Sequence, residues 1–193
     1  MDYRKRIITP FTKMLFATII AFLFCIGFAN GTLIPGADTC FHMNRIEALY
    51  QAIQNREYFP YVFYDQNYLY GYGSPMFYSV VYLYPAAVLR LLGVSIASTY
   101  RTYCFLIIFL SCLSIMHCYE RICDSESKIS LFLVAYFYVM NFYVFARVFK
   151  RGAIGELLAL VFIPLVIKEI KLFVLDIKEN WFGLGISFAL LLL

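Results

Sequence analysis

Charged side chains are scarce in this sequence. Only 15% of its 193 residues are charged, whereas 63% are hydrophobic and 20% are aromatic. Soluble domains carry roughly 25% charged residues, because their surfaces need them. The lack of polar residues excludes a disordered chain, and neither the glycine period of collagen nor the heptads of a coiled coil are present. The composition therefore predicts a membrane protein with several spans.

Two further absences narrow the functional classes. The net charge is only +4 and no nucleic-acid-binding motif occurs, so we expect no nucleic-acid partner. The six cysteines form no C-x-x-C pair, and the spacing of Cys118 and Cys123 is not that of zinc ligands. The sequence thus predicts neither a disulfide framework nor a zinc site.

Apolar runs organise the chain as one transmembrane domain. The first predicted span, 14–34, follows a basic N-terminal segment, so we expect a multi-pass protein with a cytoplasmic N-terminus. The sequence stops within a hydrophobic run, and we therefore expect either the N-terminal part of a longer protein or a broken reading frame. The other predicted segments are an external loop at 35–97, spans at 98–118, 129–147 and 153–170, and the start of a span at 181–193.

The topology depends on segment 75–92. This segment is short and contains Pro85 and Arg90, so it can either span the bilayer or lie in the interface. The 16 Lys and Arg residues divide between the two sides in the same ratio in both arrangements. The positive-inside rule therefore does not choose between them.

The loop holds the first candidate site. An amphipathic helix is predicted over 38–56, with Asp38 at its N-cap and His42 one turn later on the same face. Such a carboxylate and imidazole can bind a divalent metal, or the carboxylate can act as a general base. Alternatively, Asp38 is only a helix cap and His42 an interfacial side chain.

A second cluster of charges precedes the predicted span at 153–170. Arg147, Lys150 and Arg151 suit the phosphate of a lipid head group, and Glu156 follows them. The alternative is that these cations anchor the topology and that Glu156 favours a helix N-terminus. In the loop, segment 68–78 alternates aromatic rings with small residues. It can stack on sugars, line a lipid tail or form an ordinary aromatic belt.

Together, these motifs resemble the N-terminal region of the GT-C membrane glycosyltransferases, the superfamily of oligosaccharyltransferases and protein mannosyltransferases. The closest resemblance is to uncharacterised bacterial multispanning members. The residues that carry it are Gly36-Ala37-Asp38, Phe41-His42, Arg45-Ile46, Tyr70-Gly71-Tyr72, Pro75-Met76-Phe77-Tyr78 and Arg151-Gly152-Ala153-Ile154-Gly155-Glu156.

The resemblance implies an all-α, polytopic bundle of GT-C-like type, with juxtamembrane amphipathic helices in the first external loop. It assigns catalysis to Asp38 and makes Glu156 an approximate second acidic residue, since no Asp-x-Asp motif is present. It also leaves 75–92 in the interface, so that both carboxylates face outside. Arg147, Lys150 and Arg151 would then bind the phosphate of the donor.

The implied function is transfer of a sugar from a polyprenyl-phosphate donor to an extracytoplasmic acceptor, at the bilayer of the cell membrane. His42 would orient Asp38 or share a divalent metal with it and Glu156. Two alternatives remain open, a non-catalytic transport or lipid-handling protein and an inactive truncated remnant. Charges within the spans would favour a transporter, and they are nearly absent here.

Overall fold

The computed structural model describes residues 9–28, 36–123, 127–175 and 181–192. Throughout these ranges the fold is all-helical, without a strand, and the only β-type pairing is an isolated bridge between Phe63 and Tyr72. The predicted all-α class is therefore confirmed. The α-helices are α1 (Pro10–Cys25), α2 (Thr39–Gln54), α3 (Tyr84–Leu91), α4 (Ile96–Ile122), α5 (Lys128–Val139), α6 (Phe142–Phe145), α7 (Ile154–Val174) and α8 (Trp181–Leu192).

In the part of the chain that the structure describes, three helical segments are long and apolar enough to cross a membrane, which indicates a membrane protein. They are Pro10–Phe28, Ile96–Ile122 and Lys128–Arg151. These segments overlap the predicted spans at 14–34, 98–118 and 129–147, although positions 29–34 lie outside the described residues.

The third of these segments is interrupted. Helix α5 ends before Asn141, whose side chain accepts a hydrogen bond of 3.0 Å from the Val144 amide and so begins α6. Helix α6 runs into a π-helical turn at Ala146–Arg151. This turn contains Arg147, Lys150 and Arg151, so its geometry sets the direction of these side chains.

The predicted spans at 153–170 and 181–193 stay predictions. Helix α7 has 21 residues and carries Glu156 near its start and Lys168, Glu169 and Lys171 near its end, with Pro164 between them. Helix α8 is a shorter apolar helix of 12 residues within the described part.

The first loop contains the helix predicted over 38–56, observed as α2. The segment 75–92 is not one helix. It comprises 3-10 turns at Ser74–Met76 and Val81–Leu83 and the eight-residue α3. Eight residues rise only about 12 Å, which is less than half of a hydrocarbon core of roughly 30 Å. This geometry favours the topology in which 75–92 does not cross the bilayer.

Helix α4 lies at the centre of the bundle and packs against α1, α5 and α7. At one end of the bundle Lys13 of α1 pairs with Glu120 of α4 at 2.5 Å. At the other end the Tyr100 hydroxyl of α4 donates to the Gly152 carbonyl beside α7. Helix α1 is therefore antiparallel to α4, whereas α7 runs parallel to α4. We call the end with Lys13, Glu120, Lys168 and Lys171 the lysine end, and the end with Asp38, Arg151 and Glu156 the aspartate end.

Hydrogen bonds between helices fix their register. The Ser114 hydroxyl donates to the Val161 carbonyl at 2.6 Å, and the Tyr138 hydroxyl donates to the Leu160 carbonyl at 2.9 Å. Small side chains let α1 and α4 approach closely, since Ala17, Ala21 and Cys104 are completely buried. The start of α7 is thereby held against the start of α4, which positions Glu156.

Candidate functional site

The aspartate end is built from two chain segments that are far apart in sequence. The Asp38 amide donates to the Arg151 carbonyl at 2.7 Å, and the Ala37 amide donates to the Lys150 carbonyl at 3.3 Å. These backbone bonds join the start of α2 to the turn before α7. The first carboxylate and the basic cluster are therefore held by backbone atoms, and not only by their charges.

Two glycines make possible this backbone crossing, by which we mean the close contact between the start of α2 and the turn before α7. A Cβ atom on Gly36 would lie 2.6 Å from the carbonyl carbon of Arg151. Gly152 has φ +72°, and a Cβ atom there would overlap the Thr39 hydroxyl and lie 2.9 Å from the Thr39 nitrogen. Only glycine accepts this combination of left-handed backbone and close approach. Both glycines belong to the motifs that carry the resemblance.

The π-helical turn positions the second carboxylate. The amides of Gly152 and Ala153 both donate to the Arg147 carbonyl, at 2.8 and 3.0 Å. Helix α7 then begins at Ile154, which places Glu156 in its first turn. The basic cluster and Glu156 thus lie on either side of one sharp bend.

The charged side chains at this bend form a network. Arg151 bridges the two carboxylates, with Nη1 at 2.9 Å from Glu156 Oε1 and Nη2 at 3.5 Å from Asp38 Oδ2. Arg147 Nε lies 2.6 Å from Glu156 Oε2, and the Tyr143 hydroxyl donates to the same oxygen at 3.0 Å. Two of the three predicted phosphate-binding cations are therefore paired with Glu156. The third, Lys150, is exposed and forms no ion pair with a described residue.

Asp38 occupies the N-cap position of α2, but its side chain forms no capping hydrogen bond. Its carboxylate is 40% exposed and faces Arg151 across a long contact of 3.5 Å. Only the backbone carbonyl of Asp38 acts in the helix, where it accepts from the His42 amide at 3.0 Å. The carboxylate is therefore available for a role other than capping.

His42 is buried one turn after Asp38, and its Nδ1 atom has no hydrogen-bond partner among the described residues. Burial and the positive charge of Arg45 together lower the pKa of His42 to about 4, while Asp38 opposes the shift. The imidazole is therefore neutral at pH 7. The described ranges bring together no three His, Cys, Asp or Glu side chains that could hold a metal ion, so the predicted metal pair has no third ligand there.

The sequence analysis assigned no role to Arg45, which the structure places at the centre of the site. Arg45 is only 5% exposed, and its Nη2 donates to the carbonyls of Tyr78 and Ser79 at 3.0 Å each. The rings of Phe41 and Tyr78 lie 5.5 and 5.3 Å from its guanidinium carbon. Burial lowers the pKa of Arg45, yet a guanidinium stays charged in a protein.

The charge of Arg45 has no carboxylate within ion-pair distance in the part of the chain that the structure describes. Its Nε atom is also buried without a partner. A buried cation left in this way favours an anion as a ligand. The helical spacing could have identified Arg45 as unusual. It falls four residues after Phe41 and four before Leu49, so a charged residue lies on the apolar face of α2.

A cleft of about 410 Å³ opens beside these residues. The Tyr82 ring lies 5.4 Å from the Phe162 ring, and the Tyr82 hydroxyl donates to the Leu190 carbonyl, so the loop, α7 and α8 are joined there. Along α7 the lining changes from charged to apolar, because Glu156 lies in the first turn and Phe162 lies six residues, about 9 Å, further along the helix. The polar end is lined by Asp38, His42, Arg45, Arg151 and Glu156, and the apolar wall by Leu83, Leu158, Ala159, Phe162, Leu190 and Leu191.

No known family model, curated protein or solved structure significantly matches this chain.

Proposed function

We propose that this protein is a membrane glycosyltransferase that transfers a sugar from a polyprenyl-phosphate donor to an extracytoplasmic acceptor. The observation that carries the proposal is the cleft, which has charged groups at one end and an apolar wall at the other. The resemblance to GT-C enzymes supports the same activity. Both ends of the cleft are needed, because such a donor joins an anionic head to a long hydrocarbon chain.

The apolar wall suits the hydrocarbon chain of the donor. Leu158 and Phe162 lie on α7 two and six residues beyond Glu156, so they continue about 9 Å along the helix from the charged end. Leu190 and Leu191 of α8 line the same wall. A polyprenyl chain bound there would remove apolar surface from water or exchange it with lipid.

The charged end suits the head group. Arg45 supplies a buried positive charge that no described carboxylate neutralises, and it would bind the phosphate. Arg151 is 46% exposed and can contact a phosphate from the side opposite Glu156. Arg147 is committed to Glu156, while Lys150 remains exposed at the rim.

Asp38 would act as the general base. The acceptor oxygen forms a bond to the anomeric carbon and gives its proton to Asp38, while the bond between that carbon and the phosphate oxygen breaks. The phosphate leaves with the electron pair, and the arginines stabilise its charge. Direct attack by the acceptor inverts the anomeric centre. Neutral His42 would help to orient Asp38.

The test compares two carboxylates at opposite ends of the bundle. Asp38→Asn should lower transfer by about 10²–10⁴-fold, the usual contribution of a general base. Glu120→Gln, which breaks only the pair with Lys13, should keep the parental rate. Release of polyprenyl phosphate from a panel of synthetic polyprenyl-phosphate hexoses, with a membrane extract as acceptor, measures turnover in proteoliposomes. A parental rate in Asp38→Asn would contradict the catalytic role.

A lipid-handling protein without chemistry is the second candidate. It is favoured by the saturation of Glu156, which two arginines and one tyrosine already contact. In that case the parental protein would bind polyprenyl phosphate without releasing sugar, and Asp38→Asn would not change the binding. Arg45→Gln would weaken it under either hypothesis.

We also propose that the aspartate end faces outward in the plasma membrane and that the lysine end, with the N-terminus, is cytoplasmic. Two exposed native cysteines report on this orientation, since Cys40 lies in α2 and Cys123 follows α4. With the other four cysteines replaced by alanine, an impermeant maleimide should label Cys40 in intact cells. Cys123 should react only after the cells are permeabilised. The reverse pattern would invert the topology.

A further inference from the structure

A second pocket adjoins the cleft and has a different chemistry. Its volume is about 200 Å³, and it lies between α2 and the loop that follows. It shares Phe41 and Arg45 with the cleft. The remaining lining residues are Asn44, Phe63, Gln66, Asn67 and Tyr72.

The loop is closed into a defined shape. The backbones of Phe63 and Tyr72 exchange two hydrogen bonds of 3.0 Å, and the Gly71 amide donates to the Gln66 carbonyl at 3.1 Å. Between them Asn67, Tyr68 and Leu69 all have φ values near +60°. Three successive left-handed residues other than glycine cost free energy, and such backbone strain is concentrated at functional sites. Here this conformation places Gln66 and Asn67 at the pocket.

The lining suits a sugar. Asn44, Gln66 and Asn67 offer amides that both donate and accept, which matches the hydroxyl groups of a carbohydrate. The rings of Phe41, Phe63 and Tyr72 can pack against the apolar C–H face of a pyranose. No described carboxylate lines this pocket, so a cationic ligand is disfavoured. Sites for drug-sized ligands occupy roughly 300–1,000 Å³, and the smaller volume here suits a single ring.

Arg45 joins this pocket to the cleft. Arg45 lines both, it is 5% exposed, and its Nε has no partner within the described residues. A ligand in the small pocket would therefore lie next to the group that is best placed for a phosphate. We propose that the pocket between α2 and the 63–72 loop binds one hexopyranose unit. This inference rests on the proposed function and names the site of its sugar.

The direct test measures sugar binding in the absence of any donor lipid. Saturation-transfer NMR with methyl α-glucoside, α-mannoside and α-galactoside, on the purified chain in nanodiscs, should show weak binding of at least one glycoside. Asn44→Ala and Gln66→Ala should each weaken binding by about 2–10-fold, the equivalent of one net hydrogen bond. Asn55→Ala is the matched control, because Asn55 is exposed at the end of the same helix and lines neither pocket.

We do not expect the loss of binding in Asn44→Ala to come from misfolding of the variant. Asn44 is exposed and forms no side-chain hydrogen bond with the described residues, so the Asn44→Ala variant should melt with the parental protein. If none of the three glycosides binds, or if Asn44→Ala, Gln66→Ala and Asn55→Ala all bind alike, the pocket is not a sugar site.

The transfer assay separates this inference from the proposed function. A raised donor KM in Asn44→Ala assigns the pocket to the donor sugar, and a raised acceptor KM assigns it to the acceptor. Transfer that is unchanged in both amide variants would overturn the sugar pocket and leave the glycosyltransferase intact. Glycoside binding that needs Asn44, in a parental protein without transfer, would support the pocket and overturn the glycosyltransferase.

Discussion

The two ends of the bundle both concentrate charge, but they are built differently. At the lysine end, Lys13 pairs with Glu120 at 2.5 Å, Lys168 Nζ lies 3.4 Å from His117 Nε2, and Lys171 donates to the Ile122 carbonyl at 2.6 Å. Each of these contacts depends on a long, flexible side chain. At the aspartate end, backbone hydrogen bonds and two glycines hold the segments before their side chains meet.

This difference suggests that the lysine end marks the membrane boundary and that the aspartate end is a functional site. Lysines at helix ends can reach the water and head-group region in many conformations, and their pairs contribute little to stability. A catalytic or binding group must instead be held within a fraction of an ångström by rigid surroundings. Within the described residues, only the aspartate end joins such rigid backbone to a cleft where no carboxylate neutralises Arg45.

The largest expected effect comes from breaking the backbone crossing. Gly152→Ala should destabilise the protein by about 1–3 kcal/mol through its left-handed φ alone, and the overlap with Thr39 adds to this. Gly185→Ala is the control, because its Cβ would meet no atom within 4 Å and lies inside α8. That change should be neutral or stabilising by roughly 0.5–1 kcal/mol. Melting temperatures in detergent measure both, and equal values would contradict the rigid crossing.

The next effect concerns pH at the aspartate end. The pKa of His42 is about 4 in the folded protein, while 6.5 is usual for an exposed histidine. The unfolded chain therefore binds a proton below pH 6.5, and the folded chain does so only near pH 4. Stability should fall as the pH decreases through this window, by at most on the order of 3 kcal/mol.

His42→Gln tests this dependence, because glutamine does not titrate. Melting temperatures between pH 7 and pH 4.5 should fall more steeply in the parental protein than in the variant. The acid sensitivity that remains in the variant belongs to the carboxylates. Identical slopes would mean that His42 is accessible and already protonated at pH 6.

The smallest effect distinguishes the ion pairs themselves. A double-mutant cycle on Lys13 and Glu120 should give a coupling below about 1 kcal/mol, because both side chains are partly exposed. The cycle on Arg147 and Glu156 should give a larger coupling, since Arg151 and Tyr143 hold the same carboxylate in a network. A larger coupling energy for Lys13 and Glu120 than for Arg147 and Glu156 would contradict the view that the aspartate end is the more rigid of the two.

The sequence predicted the helices well where hydrophobicity decides them. The apolar runs that gave spans at 98–118 and 129–147 correspond to helical segments of span length, and the amphipathic pattern over 38–56 corresponds to α2. Within 75–92, where the resemblance implied a juxtamembrane helix, only the eight residues of α3 are α-helical, because short turns can also accommodate a run of apolar residues.

Charge pairing could not be predicted in the same way. Arg147, Lys150 and Arg151 look equivalent in the sequence, but the π-helical turn directs Arg147 and Arg151 to Glu156 and leaves Lys150 exposed. Asp38 is a residue type that is common at helix N-caps and it occupies the N-cap position, yet its carboxylate faces Arg151 and does not cap the helix. The contact between Asp38 and Arg151 joins residues 113 positions apart in the chain, and the pairs with Glu156 depend on the π-helical turn.

The sequence by itself determined that this chain is helical and suited to a membrane, because the scarcity of charge and the length of the apolar runs are local properties. It also located Asp38 and Glu156 as the carboxylates of interest. Only the tertiary structure decided that they share one arginine, that Arg45 is buried without a carboxylate among the described residues, and that two pockets meet at that residue. The physical reason is that burial and ion pairing are set by contacts between distant segments, which hydropathy along the chain does not encode.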